Sequence, residues 1–323
     1  MTASPTDNTP TDTGCLTVNR GCGTGLAALT TAGALIQGGF GEIYTCGGVE
    51  QDSRNVAYLH NDHPYEGGTA YINTLYSSPV EVYGNPTMVQ TAENIAAKLG
   101  ITREECDAYA LRSQQLAAKG YEEGLYQEHI VPITVPQKKG EPMVVTQDEM
   151  FRPTTTLEGL AKLRPVMGGV VTAGNASPLN DGASCAVMME EEKARELGLK
   201  PLMRFVDYAV TGVDPRYMGL GPVDAMKLLM KRNKMEFSDL DFIECNEAFA
   251  AQTLGVQREL NIPLEKLNIR GGAIALGHPY TATGVNLAAK AAGIFARNDF
   301  ERCLITFCCG GGQGVAAIFE KCE

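Results

Sequence analysis

Strand-like and helix-like segments alternate along most of this chain, and that alternation constrains the fold more than any single motif does. Short apolar runs lead into turns of small residues, and longer alanine-rich or amphipathic stretches follow. This order is typical of an α/β fold with largely parallel sheets. Predicted helices include residues 24–37, 247–260 and 283–296, and predicted strands include 15–19, 42–48 and 267–276, the second of them ending in a glycine turn.

Several helix boundaries are marked by residues that cap helices. Thr102 and Glu105 have the spacing of a capping box, so a helix is predicted to begin there and to stop at Gly120. Gly100 is another stop position, because glycine readily adopts the left-handed conformation that ends helices. Pro222 stands at the first position of a predicted helix, where its missing N–H costs nothing.

The net charge argues against one class of partner. The 323 residues carry a formal charge of −11. A nucleic-acid binder needs clustered basic side chains to neutralise phosphates, and the sequence has no such cluster. No apolar run approaches the roughly 20 residues that a membrane helix needs. The sequence therefore predicts neither a nucleic-acid partner nor a membrane partner.

The N-terminal residues and the cysteines favour a cytoplasmic protein. Residues 1–14 are rich in Thr, Pro and Asp, which predicts a disordered tail without the features of a signal or transit peptide. The ten cysteines lie in apolar stretches and are expected to be reduced thiols. With no Cys-x-x-Cys and only four histidines, no metal site is expected.

The stretch "VNRGCGTGL", residues 18–26, puts a cysteine at the start of a predicted helix. A helix N-terminus carries about +0.5 of a charge, which stabilises a thiolate and lowers the pKa of a thiol. Gly21 and Gly23 would let a substrate approach the backbone. Cys22 is therefore a candidate nucleophile, and a buried packing cysteine is the alternative.

The stretch "GGAIALGHPYTATG", residues 271–284, places His278 between a glycine and a proline. A histidine here can act as a base or a hydrogen-bond donor, or it can merely cap the helix that begins at 283. The segment is similar to the one around Cys22, since both are small-residue turns that lead into alanine-rich helices. The similarity indicates two like halves, each with a reactive side chain at a helix N-terminus.

Two more stretches could carry chemistry. In "CCGGGQG", residues 308–314, backbone N–H groups of a glycine loop can converge on an anion, as a phosphate cradle or an oxyanion hole. The loop lacks the GK[ST] ending of a nucleotide P-loop and the dinucleotide fingerprint, so NTP or NAD binding is not expected. Cys308 or Cys309 would supply a second thiol. Asn246, in "NEAFAAQ", can cap a helix or hold a water or a substrate carbonyl.

Taken together, these stretches resemble the thiolase family of thioester-dependent acyl transferases. The family pattern around the nucleophile is V-N-x-x-C-x-S-G-L, which "VNRGCGTGL" matches except for Thr24. "NEAFA", "GGAIALGHP" and "CCGGGQG" resemble the C-terminal blocks of the family, and the resemblance runs from about Leu16 to Phe319. It implies a layered α-β-α-β-α fold built from two similar halves.

The resemblance implies a role for each candidate residue. Cys22 would accept the acyl group, His278 would activate Cys22 and hydrogen-bond the thioester oxygen, and Cys308 would move the proton at C2 of the acetyl-CoA moiety. Asn246 would hold a water that completes the oxyanion site beside His278. The N–H groups of Cys22 and Gly310 would form a second oxyanion hole.

The implied function is that of an acyl-CoA acyltransferase in fatty acid metabolism, which forms or cleaves β-ketoacyl-CoA. CoA and acyl-CoA would be substrates, and no cofactor would be permanently bound. Ser177 and Arg152 resemble family residues that line the CoA site, and the family implies a homo-oligomer, dimer or tetramer. The implied domains are a disordered tail (1–14), an N-terminal half (15–52 and 179–199), a CoA-binding loop domain (53–178) and a C-terminal half (200–323).

The chain departs from the family pattern in two ways. Thr281, Pro178 and Val89 replace glycines, and Thr281 is expected to narrow the space beside the catalytic histidine and to alter the preference for acyl chain length. The family also carries a strand–helix–strand–helix segment before the nucleophile strand, where this sequence has only a polar tail. The N-terminal half is therefore expected to be incomplete, with strand 15–19 lacking its neighbour.

Several explanations of the incomplete half are open. A partner chain could supply the segment, the sequence could be truncated, or the chain could be a non-catalytic, partner-dependent acyl-CoA-binding subunit. A ketoacyl synthase with the same fold is a weaker interpretation, because that family lacks a second thiol like that of Cys308.

Overall fold

The computed structural model describes residues 13–54, 58–59, 71–72, 84 and 86–322, so most of the predicted tail and most of residues 53–87 lie outside it. The α-helices are α1 (Thr24–Gln37), α2 (Met88–Leu99), α3 (Arg103–Glu122), α4 (Leu157–Ala161), α5 (Glu191–Glu196), α6 (Gly221–Asn233), α7 (Ala250–Leu260), α8 (Ala273–Leu276) and α9 (Thr283–Arg297). The strands are β1 (Ile43–Gln51), β2 (Tyr58–Leu59), β3 (Tyr71–Ile72), β4 (Ile133–Val135), β5 (Met143–Val145), β6 (Asp181–Met189), β7 (Met203–Gly212), β8 (Phe242–Cys245), β9 (Arg302–Cys309) and β10 (Gln313–Lys321).

The helix boundaries that capping residues predict are largely confirmed. The capping box of Thr102 starts α3, although α3 ends at Glu122 rather than at Gly120. Gly100 ends α2 with the left-handed φ of 65°. Pro222 lies in the first turn of α6. Local side-chain chemistry therefore sets where these helices begin more firmly than where they end.

A four-stranded sheet forms the centre of the C-terminal half, in the order β7–β10–β9–β8. In this sheet β8 and β9 are parallel, whereas β10 runs antiparallel to both β7 and β9. The prediction of largely parallel sheets is therefore wrong. The physical reason is the short glycine turn between β9 and β10, which reverses the chain and forces an antiparallel pair.

Both faces of this sheet are buried, which is why its strands are apolar at successive positions. Leu304 and Ile318 pack in one cluster with α6 and α7, while Ile305 and Phe307 pack in another with α1 and α9. The second cluster also contains Cys46 of β1. The described elements therefore stack as helices, sheet, helices and sheet, with α1 and α9 between the two sheets.

The second sheet pairs β1 with β6, antiparallel, and two predictions about this region are wrong. β1 continues through Gly47 and Gly48, which pair with Cys185 and Ser184 instead of forming a turn. Residues 15–19 have no regular secondary structure. No described strand pairs with them, and a strand needs a neighbour to satisfy its backbone groups.

The predicted strand at 267–276 is also wrong. Asn268 and Gly271 have positive φ angles of 48° and 74°, which interrupt an extended backbone. The short helix α8 occupies the end of the segment. This irregular stretch leads directly to His278.

Helices α1 and α9 cross with their backbones almost in contact near their N-termini. A Cβ built on Gly284 would lie 1.9 Å from the backbone N of Leu26. One built on Gly25 would lie 2.7 Å, and one on Gly48 1.9 Å, from the carbonyl O of Thr281. Glycine, which has no Cβ, permits this approach. The two similar helix starts of the sequence therefore meet each other in space.

Gly284→Ala is expected to lower the free energy of unfolding by about 1–3 kcal/mol, because the added methyl group overlaps the backbone of α1. Chemical denaturation followed by circular dichroism measures the change. Gly159→Ala in α4 is the matched control, since its Cβ would meet only Thr156 Oγ1, at 3.3 Å. Unchanged stability of Gly284→Ala would contradict the close crossing.

Candidate active site

Cys22 lies in a single turn of 3₁₀ helix, Gly21–Gly23, that leads into α1. Gly21 has a φ of 51°, in the left-handed region that favours glycine. The hydroxyl of Thr24 donates to the carbonyl O of Gly21 at 2.7 Å and accepts the N–H of Arg20 at 2.9 Å. Thr24 thus fixes the backbone on both sides of the cysteine.

Cys22 is half-buried, and its sulfur faces two backbone N–H groups, its own and that of Gly310. Burial raises the pKa of the thiol to about 12, and the carboxylates of Glu50 and Asp52 add to this rise. The two N–H groups oppose it. The partial positive charge at the start of α1, which predicts a lowered pKa, is therefore outweighed by the loss of water. Cys22 is a neutral thiol at pH 7.

The neighbouring thiols Cys308 and Cys309 point to opposite sides of β9. Cys309 belongs to the core beneath α1, where a Cβ on Gly23 would lie 2.7 Å from its sulfur. Cys308 packs with Met218 and Ala248 instead. Burial raises the pKa of the Cys308 thiol well above its ordinary value, and the charge of a Cys22 thiolate raises it further. Cys308 therefore lies beside Cys22 as a second neutral thiol.

His278 is buried, and both of its ring nitrogens have partners. Nδ1 lies 2.8 Å from the hydroxyl of Thr283, which itself donates to the carbonyl O of Pro279 at 3.0 Å. The hydroxyl has one hydrogen, so Nδ1 carries the ring proton and donates it to Thr283. Nε2 then accepts from Asn246 Nδ2 at 3.2 Å. Burial lowers the pKa of the imidazole to about 3, so His278 is neutral.

Asn246 has one polar atom without a partner among the described residues. Its Oδ1 is buried and makes no hydrogen bond. A buried carbonyl oxygen in this state costs about 1–3 kcal/mol, which a bound donor such as water would recover. The amide is therefore oriented to hold such a donor beside His278.

A buried carboxylate next to Asn246 was not predicted from the sequence. Glu247 accepts hydrogen bonds from Tyr109 at 2.9 Å and Ser113 at 2.6 Å, and also from Asn268 Nδ2 at 2.8 Å and the N–H of Ile274 at 3.2 Å. These donors come from α3, α8 and the irregular stretch before α8. Glu247 thus fixes the backbone that carries Asn246. A glutamate inside the apolar stretch "NEAFA" was the available signal.

Tyr280 contacts His278 and also lies near Cys22. Its ring packs edge-on against His278, with ring centroids 5.0 Å apart and an interplanar angle of 85°. Burial raises the pKa of its hydroxyl, as do the charges of Asp52 and Cys22, so the hydroxyl lies near both. Thr281, by contrast, turns its hydroxyl to the carbonyl O of Val49 on β1, at 2.6 Å. The bulky group beside His278 is therefore Tyr280.

The two residues proposed for CoA lie in different surroundings. Ser177 donates both its N–H and its hydroxyl to the carbonyl O of Ala248, at 3.0 and 3.1 Å, which places it beside the Asn246 segment. Arg152 has an exposed side chain, and its backbone N–H donates to Gln114 of α3 at 2.9 Å. The described contacts join Ser177 to the site and leave Arg152 in the loop that packs on α3.

Comparisons with known proteins identify the family of the chain. Two family models match the chain, "Thiolase, N-terminal domain" over residues 3–192 and "Thiolase, C-terminal domain" over residues 199–321. A probable acetyl-CoA acyltransferase of Staphylococcus aureus (strain MRSA252) is 43% identical over 311 residues, which are 94% of this chain and 79% of that protein.

Solved structures show the same likeness. Human mitochondrial 3-ketoacyl-CoA thiolase has a TM-score of 0.90 and 38% identity, covering 98% of this chain and 81% of that chain. A structure of that enzyme in complex with CoA has a TM-score of 0.89 and 38% identity, covering 98% and 80%. Bacillus anthracis acetyl-CoA acetyltransferase has a TM-score of 0.86 and 39% identity, covering 94% and 78%.

The chain belongs to the thiolase family, with the α/β fold of that family. It is an acyltransferase, and a non-catalytic subunit is not favoured. All ten cysteines are free thiols. No helix in the described part of the chain has the length and apolar character needed to cross a lipid bilayer.

The raised pKa of Cys22 predicts how its reactivity depends on pH. Alkylation by iodoacetamide needs the thiolate. The rate at Cys22, in the absence of substrate, is therefore expected to keep rising through pH 10, because the thiol has a pKa of about 12. Mass-spectrometric peptide mapping follows the site, with Cys22→Ser as the control. An alkylation rate that reaches a plateau below pH 8 would show that burial does not control the pKa of Cys22.

Proposed function

We propose that this acyltransferase forms or cleaves β-ketoacyl-CoA through an acyl-Cys22 thioester, with CoA as the acyl acceptor. The observation that carries the proposal is the pair of N–H groups, from Cys22 and Gly310, that face the Cys22 sulfur. A carbonyl carbon bonded to that sulfur would place its oxygen near both donors. Preorganised donors at this position stabilise the charge that develops in acyl transfer.

In the cleavage direction, the sulfur of Cys22 attacks the C3 carbonyl of the β-ketoacyl chain, and its proton passes to His278 Nε2. Burial opposes a charged thiolate and a charged imidazolium alike, so the proton moves as the C–S bond forms rather than before it. Nε2 carries no ring proton, because that proton is held at Nδ1, and it takes the thiol proton by giving up the hydrogen bond that it accepts from Asn246 Nδ2 at rest. After transfer, Nε2 becomes a donor to the thioester oxygen.

Collapse of the adduct breaks the C2–C3 bond and leaves an acetyl-CoA enolate. Cys308 gives its thiol proton to C2, and the acyl group stays on Cys22. The Oδ1 of Asn246, which lacks a partner, supports a water there, and that water and His278 would stabilise the enolate oxygen. The thiol of CoA then gives its proton to the Cys308 thiolate and attacks acyl-Cys22, which releases acyl-CoA. The proton on His278 Nε2 returns to the Cys22 sulfur and restores its thiol.

The CoA site and the assembly are also proposals. Ser177 adjoins the Asn246 segment and would line the CoA site, with Arg152 in the same loop domain, 53–178. The solved human thiolase with CoA supports CoA as the ligand. A homo-oligomer, the partner chain and the cytoplasmic location stay predictions from the sequence.

The adjacent thiols of β9 give a matched test. Cys308→Ala is expected to lower kcat for thiolytic cleavage of acetoacetyl-CoA by about 10²–10⁴-fold, the range for a lost general acid or base. Cys309→Ala removes a thiol of the same size from the packed core and is expected to change kcat less than about tenfold. Cys22→Ala is expected to abolish turnover.

Consumption of acetoacetyl-CoA, followed by absorbance, measures all three variants, and thermal denaturation checks that each is folded. Equal activity losses in the two β9 variants would assign Cys308 to packing. Undiminished turnover by Cys22→Ala would overturn the proposed function.

A further inference from the structure

Cys22 and His278 reach the site from different halves of the chain. Cys22 precedes α1, which packs against the β1–β6 sheet, and His278 precedes α9. Within the C-terminal half, Thr283 and Asn246 fix the imidazole at its two ring nitrogens. These contacts orient the ring, but they do not set the position of its backbone relative to the half that carries Cys22.

Asn180, immediately before β6, makes that connection. Its side-chain Oδ1 accepts the backbone N–H of His278 at 2.9 Å. Its own backbone N–H faces the carboxylate of Asp52, just beyond β1, and opposes the rise in the pKa of that carboxyl. A single residue therefore lies beside the chain at the end of β1 and hydrogen-bonds the backbone of the catalytic histidine.

The packing around this contact leaves little freedom. Gly277 has a φ of 96°, and a Cβ there would lie 2.7 Å from Asn180 Oδ1. A Cβ on Gly182 of β6 would lie 2.6 Å from the ring of Pro279. Gly277 and Gly182, one in each segment, allow the turn that contains His278 and the start of β6 to lie in contact.

We propose that Asn180 is a positioning residue for His278, which holds the histidine backbone against the half of the molecule that carries Cys22. This inference rests on the proposed role of His278. An asparagine suits the position because its amide oxygen accepts a hydrogen bond without adding charge, and the carboxylates of Asp52, Glu50 and Asp181 already lie close by.

The strand β6 also supplies a matched control. The hydroxyl of Ser184 donates to the carbonyl O of Ala282 at 2.7 Å. This bond joins β6, which follows Asn180, to the segment between His278 and α9, but it does not involve His278. Ser184→Ala therefore removes a comparable hydrogen bond between the halves, while the hydrogen bond from the His278 backbone to Asn180 remains.

Turnover of acetoacetyl-CoA is measured for wild type, Asn180→Ala, Asn180→Asp and Ser184→Ala. Asn180→Ala is expected to lower kcat about 10–100-fold with KM changed less than threefold, since small displacements of a reacting group cost up to about 10²-fold. Ser184→Ala is expected to stay within threefold of wild type. Asn180→Asp keeps a hydrogen-bond acceptor for the N–H of His278 and is expected to retain most of the wild-type kcat.

A second readout does not depend on turnover. The added carboxylate of Asn180→Asp raises the pKa of His278, which burial lowers to about 3, so the NMR titration of its imidazole is expected to lie at higher pH in this variant than in wild type. The chain has only four histidines, so this signal is assignable with His278→Ala. In Asn180→Ala the His278 signal is expected to shift, whereas in Ser184→Ala it is unchanged.

The outcomes separate the two proposals. Equal kcat losses in Asn180→Ala and Ser184→Ala, or an unchanged His278 signal in Asn180→Ala, would overturn the positioning role. An inactive wild type whose His278 signal still responds to Asn180→Ala would support Asn180 as the anchor of His278 and reject the proposed function instead.

Discussion

The backbone contact between the starts of α1 and α9 is the constraint on which the rest of this site depends. Gly25 and Gly284 let two helices meet where any side chain would separate them. Because Cys22 and His278 each precede one of these helices, the contact brings the proposed nucleophile and its proposed base, from two halves of the chain, close together. The burial of both groups follows, since the crossing lies between two sheets.

This burial determines the protonation states of Cys22 and His278. Loss of water raises the pKa of Cys22 and lowers that of His278, so the resting pair is a thiol and a neutral imidazole. A helix N-terminus alone would have favoured a thiolate. In the proposed reaction, the two backbone N–H groups beside the Cys22 sulfur would stabilise the negative charge that develops on the oxygen of the transition state. The Cys308 thiol, which is neutral at rest, would supply the proton to C2.

Local patterns were enough to predict most helix starts and the candidate site residues from the sequence. Helix caps, glycine turns and the blocks around Cys22, His278 and Cys308 each consist of residues that are adjacent in the chain. Strand direction was not predictable, since pairing depends on partners far away in the chain. The same limit applies to Asn180, whose side chain bonds a residue from the other half, and to Glu247, whose donors come from three distant segments. Only the folded chain brings those groups together.

Intact-protein mass spectrometry after mixing the purified chain with acetoacetyl-CoA tests the central claim most directly. The account predicts an acetyl adduct that peptide mapping locates on Cys22 and that is lost in Cys22→Ala. Free CoA, added afterwards, is predicted to remove the adduct as acetyl-CoA. A folded wild-type protein that forms no adduct, or an adduct that persists in Cys22→Ala, would contradict covalent catalysis at this cysteine.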